Sequence, residues 1–263
     1  IMQPWEAAFI IAAVPGIFVA LIFLLTIKEP VRRQSSSDIP LSEKPRLSEV
    51  AAFVTRNAGV FAAVFGGVSV LAAVQFCLGA WVPAHFIRNL GWTAPEVGYA
   101  YGLIFLFCGT GGVIAGGFLA DQLQTRGFSD GHLRAVMFSA IATLPFVLAF
   151  PAVDDGRVAI ALLAPVVFFG TMAFGAGPAL IPVICPSRMR GLLVAVYLLI
   201  ANIVGQAGGP LIVALFTDRV FGSPELVRYS LMVVPALLLL IGAMLVTLGF
   251  RGLRAMNASQ AEP

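Results

Sequence analysis

Charged residues are scarce in this sequence. They make up 11% of its 263 residues, whereas hydrophobic residues make up 59%. A soluble domain carries about 25% charged residues, so this chain has too few to cover a surface that faces water. Its mean hydropathy is correspondingly high, at +0.96. The composition excludes an ordinary soluble domain and predicts an integral membrane protein.

Cysteine is also rare, and the motifs of several kinds of site are missing. Cys77, Cys108 and Cys185 are widely spaced, a pattern that indicates neither a disulfide framework nor a zinc site. The sequence has no Walker-type phosphate loop and no basic, aromatic-rich segment that would bind nucleic acid. Ser187 has no nearby histidine to act as its base. We therefore expect no cofactor, no metal, no nucleic-acid partner and no enzymatic activity.

Long apolar runs are what the sequence has instead. A membrane-spanning helix needs about 20 predominantly apolar residues. Seven segments qualify, at 6–27, 58–82, 97–120, 134–152, 157–184, 191–216 and 229–250. The first is not a signal peptide, because it lacks a basic region before the apolar run and a small-residue cleavage site after it. The sequence predicts an all-α, multi-pass membrane bundle.

Basic residues are distributed unevenly among the loops. Of the 16 Lys and Arg residues, four lie in loops on one side of the predicted bundle, Arg88, Arg157, Arg219 and Arg228, and the others lie on the opposite side. Cytoplasmic loops carry the excess of positive charge. We therefore expect the N-terminus of this chain to lie outside and its C-terminus in the cytoplasm.

A polar stretch divides the spans into one and six. Its Ser- and Pro-rich composition is typical of a flexible linker, and Leu47, Val50, Ala51 and Val54 have the spacing of a short helix lying in the membrane interface. One span before a linker and six after it is typical of a fragment of a longer protein. We expect a last helix of an N-terminal half at 1–27, a cytoplasmic linker at 28–57, a six-helix C-terminal half at 58–252 and a cytoplasmic tail at 253–263.

Several motifs resemble one family of membrane transporters. The segment Gly116–Asp121, followed by Arg126 and Gly127, is similar to the loop motif of the major facilitator superfamily, in the copy between helices 8 and 9. Glycines there allow two helices to touch closely, and an aspartate at the membrane edge can pair with a basic residue. Similarity to spinster-like members extends over Trp5–Pro30, Gly79–Gly102, Pro178–Ala195 and Asn202–Asp218. The chain thus resembles helices 6 to 12 of a facilitator.

The resemblance implies a transporter that works by alternating access, with substrate bound near the membrane midplane between two six-helix halves. Spinster-like members in animals transport lipids, so the resemblance implies a small organic or lipid-like solute. We expect the protein to lie in a bacterial inner membrane. It also implies a gating loop formed by Gly117, Asp121, Arg126 and Arg190. The partner of this loop, like the other half of the cavity, is expected in helices that precede this sequence.

A few residues deep in the spans are candidates for the substrate cavity. The polar candidates are Gln75, Thr171, Asn202 and Gln206, and Phe168 and Met172 would suit an apolar ligand. A polar side chain in hydrocarbon faces protein or a wet cavity, so substrate binding and interhelical hydrogen bonding both stay open for these residues. Gly208, Gly209 and Pro210 are expected to interrupt the sixth span and to form a hinge, because irregular backbone at that depth usually lines a cavity.

The coupling mechanism and some alternative functions stay open. The middle third of each span lacks Asp, Glu, Lys, Arg and His, and proton coupling needs a titratable group in the membrane. A proton-coupled protein would therefore carry the coupling residue in the preceding helices; otherwise it is a facilitator. The alternatives are an organic-anion:proton symporter, a non-transporting scaffold, and a membrane-embedded enzyme, which would need a His/Asp or His/Glu site that the sequence lacks.

Overall fold

The computed structural model describes residues 4–26 and 45–261. Its elements are helices, and these ranges contain no β-strand. The bounds are α1, Pro4–Thr26; α2, Leu47–Arg56; α3, Ala58–Asn89; α4, Ala94–Thr125; α5, Gly131–Ala152; α6, Gly156–Ile184; α7, Ser187–Phe221; and α8, Val227–Ala261, which follows a single 3-10 turn at Pro224–Leu226. The chain divides into two compact units, residues 1–43 and residues 44–263, and α1 is the described part of the first.

Seven of the described helices are long and apolar enough to cross a membrane, and they coincide with the seven predicted spans. They are longer than the apolar runs alone indicated; α7, for example, has 35 residues. A helix pairs its interior backbone N–H and C=O groups within one segment, and its unpaired ends are satisfied in the polar regions outside the hydrocarbon. The prediction of an all-α membrane bundle is confirmed.

Short local motifs start two of these helices. A capping box starts α4, where the Thr93 backbone N–H and hydroxyl both donate to Glu96 Oε2, at 2.8 and 2.7 Å. Asp155 starts α6, where its Oδ1 accepts from the backbone N–H of Arg157 at 2.7 Å. Caps of this kind satisfy backbone donors that have no partner inside the helix. They fix the tight connections at one end of the bundle.

The centre of the second unit is α3. Of its most apolar stretch, 72% is buried within the structure, against 22% for α4 and 17% for α7. It packs against α6, α7 and α8, while α4 packs mainly against α5 and α6. The most exposed apolar faces of this unit therefore belong to α4 and α7, which flank α3 and α6.

Glycines bring α4 and α6 into backbone contact. A Cβ atom at Gly112 would clash with the carbonyl oxygen of Phe168, and one at Gly116 would clash with that of Met172. Such small-residue seams are the usual way for membrane helices to pack closely. The pair Gly98 and Gly102 has the same spacing, yet a Cβ at either would meet nothing within 4 Å. Spacing alone therefore does not identify a seam.

The interruption predicted in the sixth span is not present at that position. Through Gly208, Gly209 and Pro210 the helix α7 is continuous, and Asn202–Gly208 is π-helical. Pro210 is the second residue of the α-helical segment that follows, Gly209–Leu215, and proline is tolerated in the first turn of such a segment. Within the described part of the spans, it is α6 whose helix is interrupted, by a turn at residues 177–179.

The polar ends of the second unit also differ from the predicted boundaries. The expected short helix is present as α2, with Val50 buried and Leu47 exposed. Most of the predicted linker, residues 28–44, lies outside the described residues. The predicted tail from residue 253 continues α8 as far as Ala261. Whether α2 lies in the membrane interface stays a prediction, as do the four domain boundaries.

Candidate functional site

An open pocket of about 300 Å³ lies between α3, α6 and α7. It is lined by Ala72, Phe76, Phe174, Pro178, Val194, Tyr197, Leu198, Ala201 and Asn202. This lining includes no charged side chain, and its polar side chains are those of Tyr197 and Asn202. Ligand pockets occupy about 300–1,000 Å³ and are mostly apolar, with a few polar groups. The pocket therefore suits an apolar group that carries one hydrogen-bonding function.

Phe76 and Phe174 form the aromatic wall of this pocket. Their ring centroids are 6.4 Å apart with an interplanar angle of 79°, an edge-to-face contact. The Phe76 ring lies against α7 at Gly205, where an added Cβ would come within 2.9 Å of the ring. Gly205 belongs to the π-helical segment of α7, and π-helical turns occur frequently at functional sites. The glycine thus allows the ring to lie directly against the backbone of α7.

Asn202 supplies the amide group of the pocket. It lies near the middle of α7 and its side chain is exposed in the structure. Its Nδ2 donates to the backbone oxygen of Leu198, one turn earlier, at 2.7 Å. This bond leaves the side-chain oxygen and the second amide hydrogen for a ligand. Gln206 is also exposed, one turn further along α7, but it does not line the pocket.

The structure buries Gln75 between helices, outside the lining of this pocket. The residue is only 4% exposed, and its Nε2 donates to the backbone oxygen of Val166 on α6 at 3.5 Å. Its amide lies over Gly170, where a Cβ would clash with it. Among the described residues, its Oε1 is buried without a hydrogen-bond partner. The contacts of Gln75 are thus those of an interhelical residue.

Thr171 faces α4 in a similar way. Its buried hydroxyl lies 3.0 Å from the backbone oxygen of Gly109 on α4 and 2.8 Å from that of Val167 on its own helix. It also lines a second open pocket, of about 320 Å³, with Phe105, Gly109, Thr110, Val113 and Phe174. Phe168 and Met172 lie against α4 along the glycine seam. Of the six predicted cavity residues, Asn202 alone lines the first pocket and Thr171 alone lines the second.

Three residues of the predicted gating loop, Asp121, Arg126 and Arg190, are exposed around one end of the bundle, and the fourth, Gly117, is half-buried. Asp121 lies in the last turns of α4, Arg126 directly follows that helix, and Arg190 lies in the first turn of α7. Within the described ranges Asp121 takes part in no ion pair. A Cβ at Gly117 would meet nothing within 4 Å. These four positions are therefore available to another part of the protein, and their role stays a prediction.

Sequence reasoning did not single out Phe76 or Tyr197 as lining residues. Both are aromatic residues in long apolar runs, where the residue type does not reveal whether a face contacts lipid, protein or a cavity. The signal that could have found them is the spacing of Tyr197, Ala201 and Gly205 along one face of α7. Small residues there leave room beside an aromatic side chain.

The family of the chain is decided by a comparison with known protein families. The model of the Major Facilitator Superfamily matches residues 2–210. The chain belongs to the major facilitator superfamily. This confirms the resemblance found in the motifs, and it favours a multi-pass membrane transporter over an enzyme. A search of curated proteins gave no significant match.

Two solved structures with the same fold come from a bacterial homologue of the human lysosomal transporter Spinster. The inward-facing, unoccupied form has a TM-score of 0.70 and 21% identity, covering 96% of this chain and 60% of the solved one. The inward-facing, occupied form has a TM-score of 0.64 and 21% identity, covering 94% and 58%. At this identity the likeness shows a shared fold. The facilitator chain described here therefore spans about three fifths of the length of these structures.

Proposed function

We propose that this chain forms the C-terminal half, with one preceding helix, of a secondary transporter that moves a small organic or lipid-like solute by alternating access. The observation that carries the proposal is the open pocket between α3, α6 and α7, with Asn202 near the middle of a spanning helix. Facilitators bind substrate near the midplane, between two halves that rock against each other. The exposed faces of α4 and α7 beside this pocket would meet the other half.

The lining of the pocket supports an apolar ligand over an organic anion. A carboxylate needs a cationic or strongly donating partner in a low-dielectric site, and the lining includes neither Arg nor Lys. An organic-anion:proton symporter would have to supply that partner from the preceding helices. The same holds for proton coupling at the substrate site, because the titratable group would have to come from the other half. The pocket therefore favours a ligand whose apolar part rests on Phe76, Phe174 and Tyr197.

We also propose that the bundle lies in a bacterial inner membrane, with the α5–α6 turn outside and the end of α8 in the cytoplasm. The uneven distribution of Arg and Lys between the two ends supports this orientation. An impermeant maleimide should label Asp154→Cys in intact cells and should label Arg254→Cys only after the membrane is opened. Burial raises the pKa of the native Cys185 thiol to about 11, which keeps it unreactive at neutral pH. Labelling of Arg254→Cys in intact cells would show that the orientation is the opposite of the proposed one.

Asn202→Ala should reduce transport without reducing stability. The side chain is exposed, and its hydrogen bond within the structure is to its own helix. Loss of one hydrogen bond to the ligand costs roughly 0.5–1.5 kcal/mol, so we expect an approximately 2- to 12-fold weaker apparent affinity. The assay is uptake into proteoliposomes by the full-length protein, over a panel of fluorescent single-chain lipids and short carboxylates.

The matched control is Leu199→Ala on the same helix. Leu199 is 61% exposed and does not line the pocket, so its replacement should leave the affinity for the solute unchanged. Equal uptake by Asn202→Ala and the unmodified protein would remove Asn202 from the site. Uptake of carboxylates but of none of the lipids would favour the organic-anion symporter, and uptake of neither would count against the proposed solute class.

A further inference from the structure

His85 is a fully buried titratable residue that the proposed transport site does not use. It is one of two histidines in the chain, it is 0% exposed, and it lies near the end of α3 that leads into α4. Its ring packs edge-on against Phe86 and Phe150, with centroid distances of 5.7 and 6.2 Å. The residue therefore occupies the junction of α3 with the end of α5, in apolar surroundings.

A hydrogen-bonded chain runs from His85 to the turn that precedes α8. His85 Nδ1 lies 3.0 Å from Asn89 Oδ1, and Asn89 Nδ2 donates to the backbone oxygen of Glu225 at 2.7 Å. Beside it, Arg88 Nη1 donates to the backbone oxygen of Pro224 at 3.5 Å. These bonds fasten the end of α3 to the connection between α7 and α8.

The geometry of these hydrogen bonds determines which ring nitrogen of His85 carries the hydrogen. A carbonyl oxygen only accepts, so the Asn89 nitrogen must face Glu225 and the Asn89 oxygen must face the histidine. Nδ1 of His85 is therefore the donor, and Nε2 carries a lone pair in the neutral ring. Among the described residues, Nε2 is buried without a partner. A second proton would create an N–H group that points into a site without an acceptor.

The charged groups around His85 do not compensate a positive charge on the ring. On its own helix lies Arg88, and from α8 comes Arg228, which acts on His85 as a like charge. The α5–α6 turn contributes an acid, Asp154, but its carboxylate is paired with Arg228 at 2.8 Å. Phe150 at the end of α5 adds no charge, and Glu225 contributes its backbone oxygen. A charged ring would need contact with water, which this closed junction does not provide.

We propose that His85 is a proton-binding site, and that its protonation releases the end of α3 from the turn before α8. Because the open junction would bind the proton better than the closed one, acid shifts the equilibrium toward the open form. Neutral His85 stabilises the junction near neutral pH, and this contribution is lost as the pH falls. In the proposed orientation the junction faces outside, so external acid would open the outer end of this half.

The test measures the distance across the junction as a function of pH. Spin labels are placed at Ile87→Cys on α3 and Tyr229→Cys on α8, both exposed positions, with Cys77, Cys108 and Cys185 replaced by alanine. Double electron–electron resonance is recorded on the full-length protein in nanodiscs. One proton taken up on opening raises the open-to-closed ratio by up to about tenfold per pH unit. We therefore expect a longer distance to become populated between about pH 7 and about pH 5.

Two histidine variants decide between His85 and any other titrating group. His85→Gln cannot take up a proton, so it should remove the change with pH, whereas His132→Gln should keep it. Hydrogen exchange of residues 84–92 and 223–230, corrected for the intrinsic effect of pH, gives the same comparison without spin labels if the labelled protein is unstable. An identical distance distribution at both pH values, or a pH response that persists in His85→Gln, would overturn the proposal.

Discussion

Replacing Gly116 with leucine should prevent α4 from packing on α6, whereas the same change at the adjacent Gly117 should leave this half of the facilitator folded. A Cβ atom at Gly116 would clash with the backbone of Met172, including its carbonyl oxygen. A side-chain end can rotate away from such a clash, but a helix backbone cannot. At Gly117 the same atom would meet nothing within 4 Å. We therefore expect full-length Gly116→Leu to aggregate, while Gly117→Leu stays monodisperse.

The neighbouring contacts show why the effect at Gly116 should be large. The seam also contains Gly112 and Gly175, whose added Cβ atoms would clash with Phe168 and Val113. Moving the helices apart at one of these points would open all of them, and overpacking a single position already costs about 1–3 kcal/mol. Leucine is favourable in a helix interior, so a lower stability of Gly116→Leu would not result from a loss of helix propensity. Size-exclusion chromatography after heating in detergent measures the unfolding temperatures of Gly116→Leu and Gly117→Leu.

The same pair of variants separates packing from gating in the loop motif. Asp121 is exposed on this half, and Gly117 has open space where a Cβ would stand, as expected of residues that contact another part of the protein. If Gly117 has the predicted gating role, Gly117→Leu should fold normally and transport slowly. Normal folding of Gly116→Leu would show that the α4–α6 seam is more adaptable than its backbone contacts indicate. Normal transport by Gly117→Leu would remove that glycine from the gate.

The spans could be predicted from the sequence because the bilayer imposes one simple requirement. A segment of about 20 apolar residues has to be helical in hydrocarbon, whatever its neighbours are. The capping box at Thr93 and Glu96 and the cap at Asp155 then define two of the tight connections, and both are visible as residue types. Family membership was predictable for a related reason, since the loop motif around Asp121 is local in sequence.

The partners of individual side chains could not be predicted in the same way. Gln75 and Asn202 are both amides near the middle of a spanning helix, yet one is buried over Gly170 and the other faces an open pocket. The difference depends on how α3, α6 and α7 are rotated about their axes. In an apolar helix nearly every face is hydrophobic, so periodicity carries little information on that rotation. The glycine pairs have the same limitation, because exposed Gly98 and buried Gly116 belong to identical spacings.

Replacing Gly209 with alanine should impair both stability and transport, because this glycine is where α7 crosses α3. An added Cβ would come within 2.5 Å of the backbone oxygen of Ala73. Next to it, Trp81 Nε1 on α3 donates to the backbone oxygen of Pro210 at 3.0 Å. Separation of the helices would weaken that bond and widen the pocket between Phe76 and Asn202. We expect a lower unfolding temperature and about tenfold slower uptake, equivalent to about 1.4 kcal/mol.

Gly208→Ala is the matched change, and it also tests the predicted hinge. A Cβ at Gly208 would lie 3.7 Å from the nearest backbone oxygen, that of Ile203, which is an ordinary contact. Alanine also favours a helix by about 1 kcal/mol over glycine, so Gly208→Ala should be at least as stable as the unmodified protein. If α7 bends at Gly208 during transport, this stable variant should transport slowly. Unchanged transport by Gly208→Ala together with a defect in Gly209→Ala would mean that the segment acts as a fixed crossing point of α3 and α7, and the hinge prediction would be wrong.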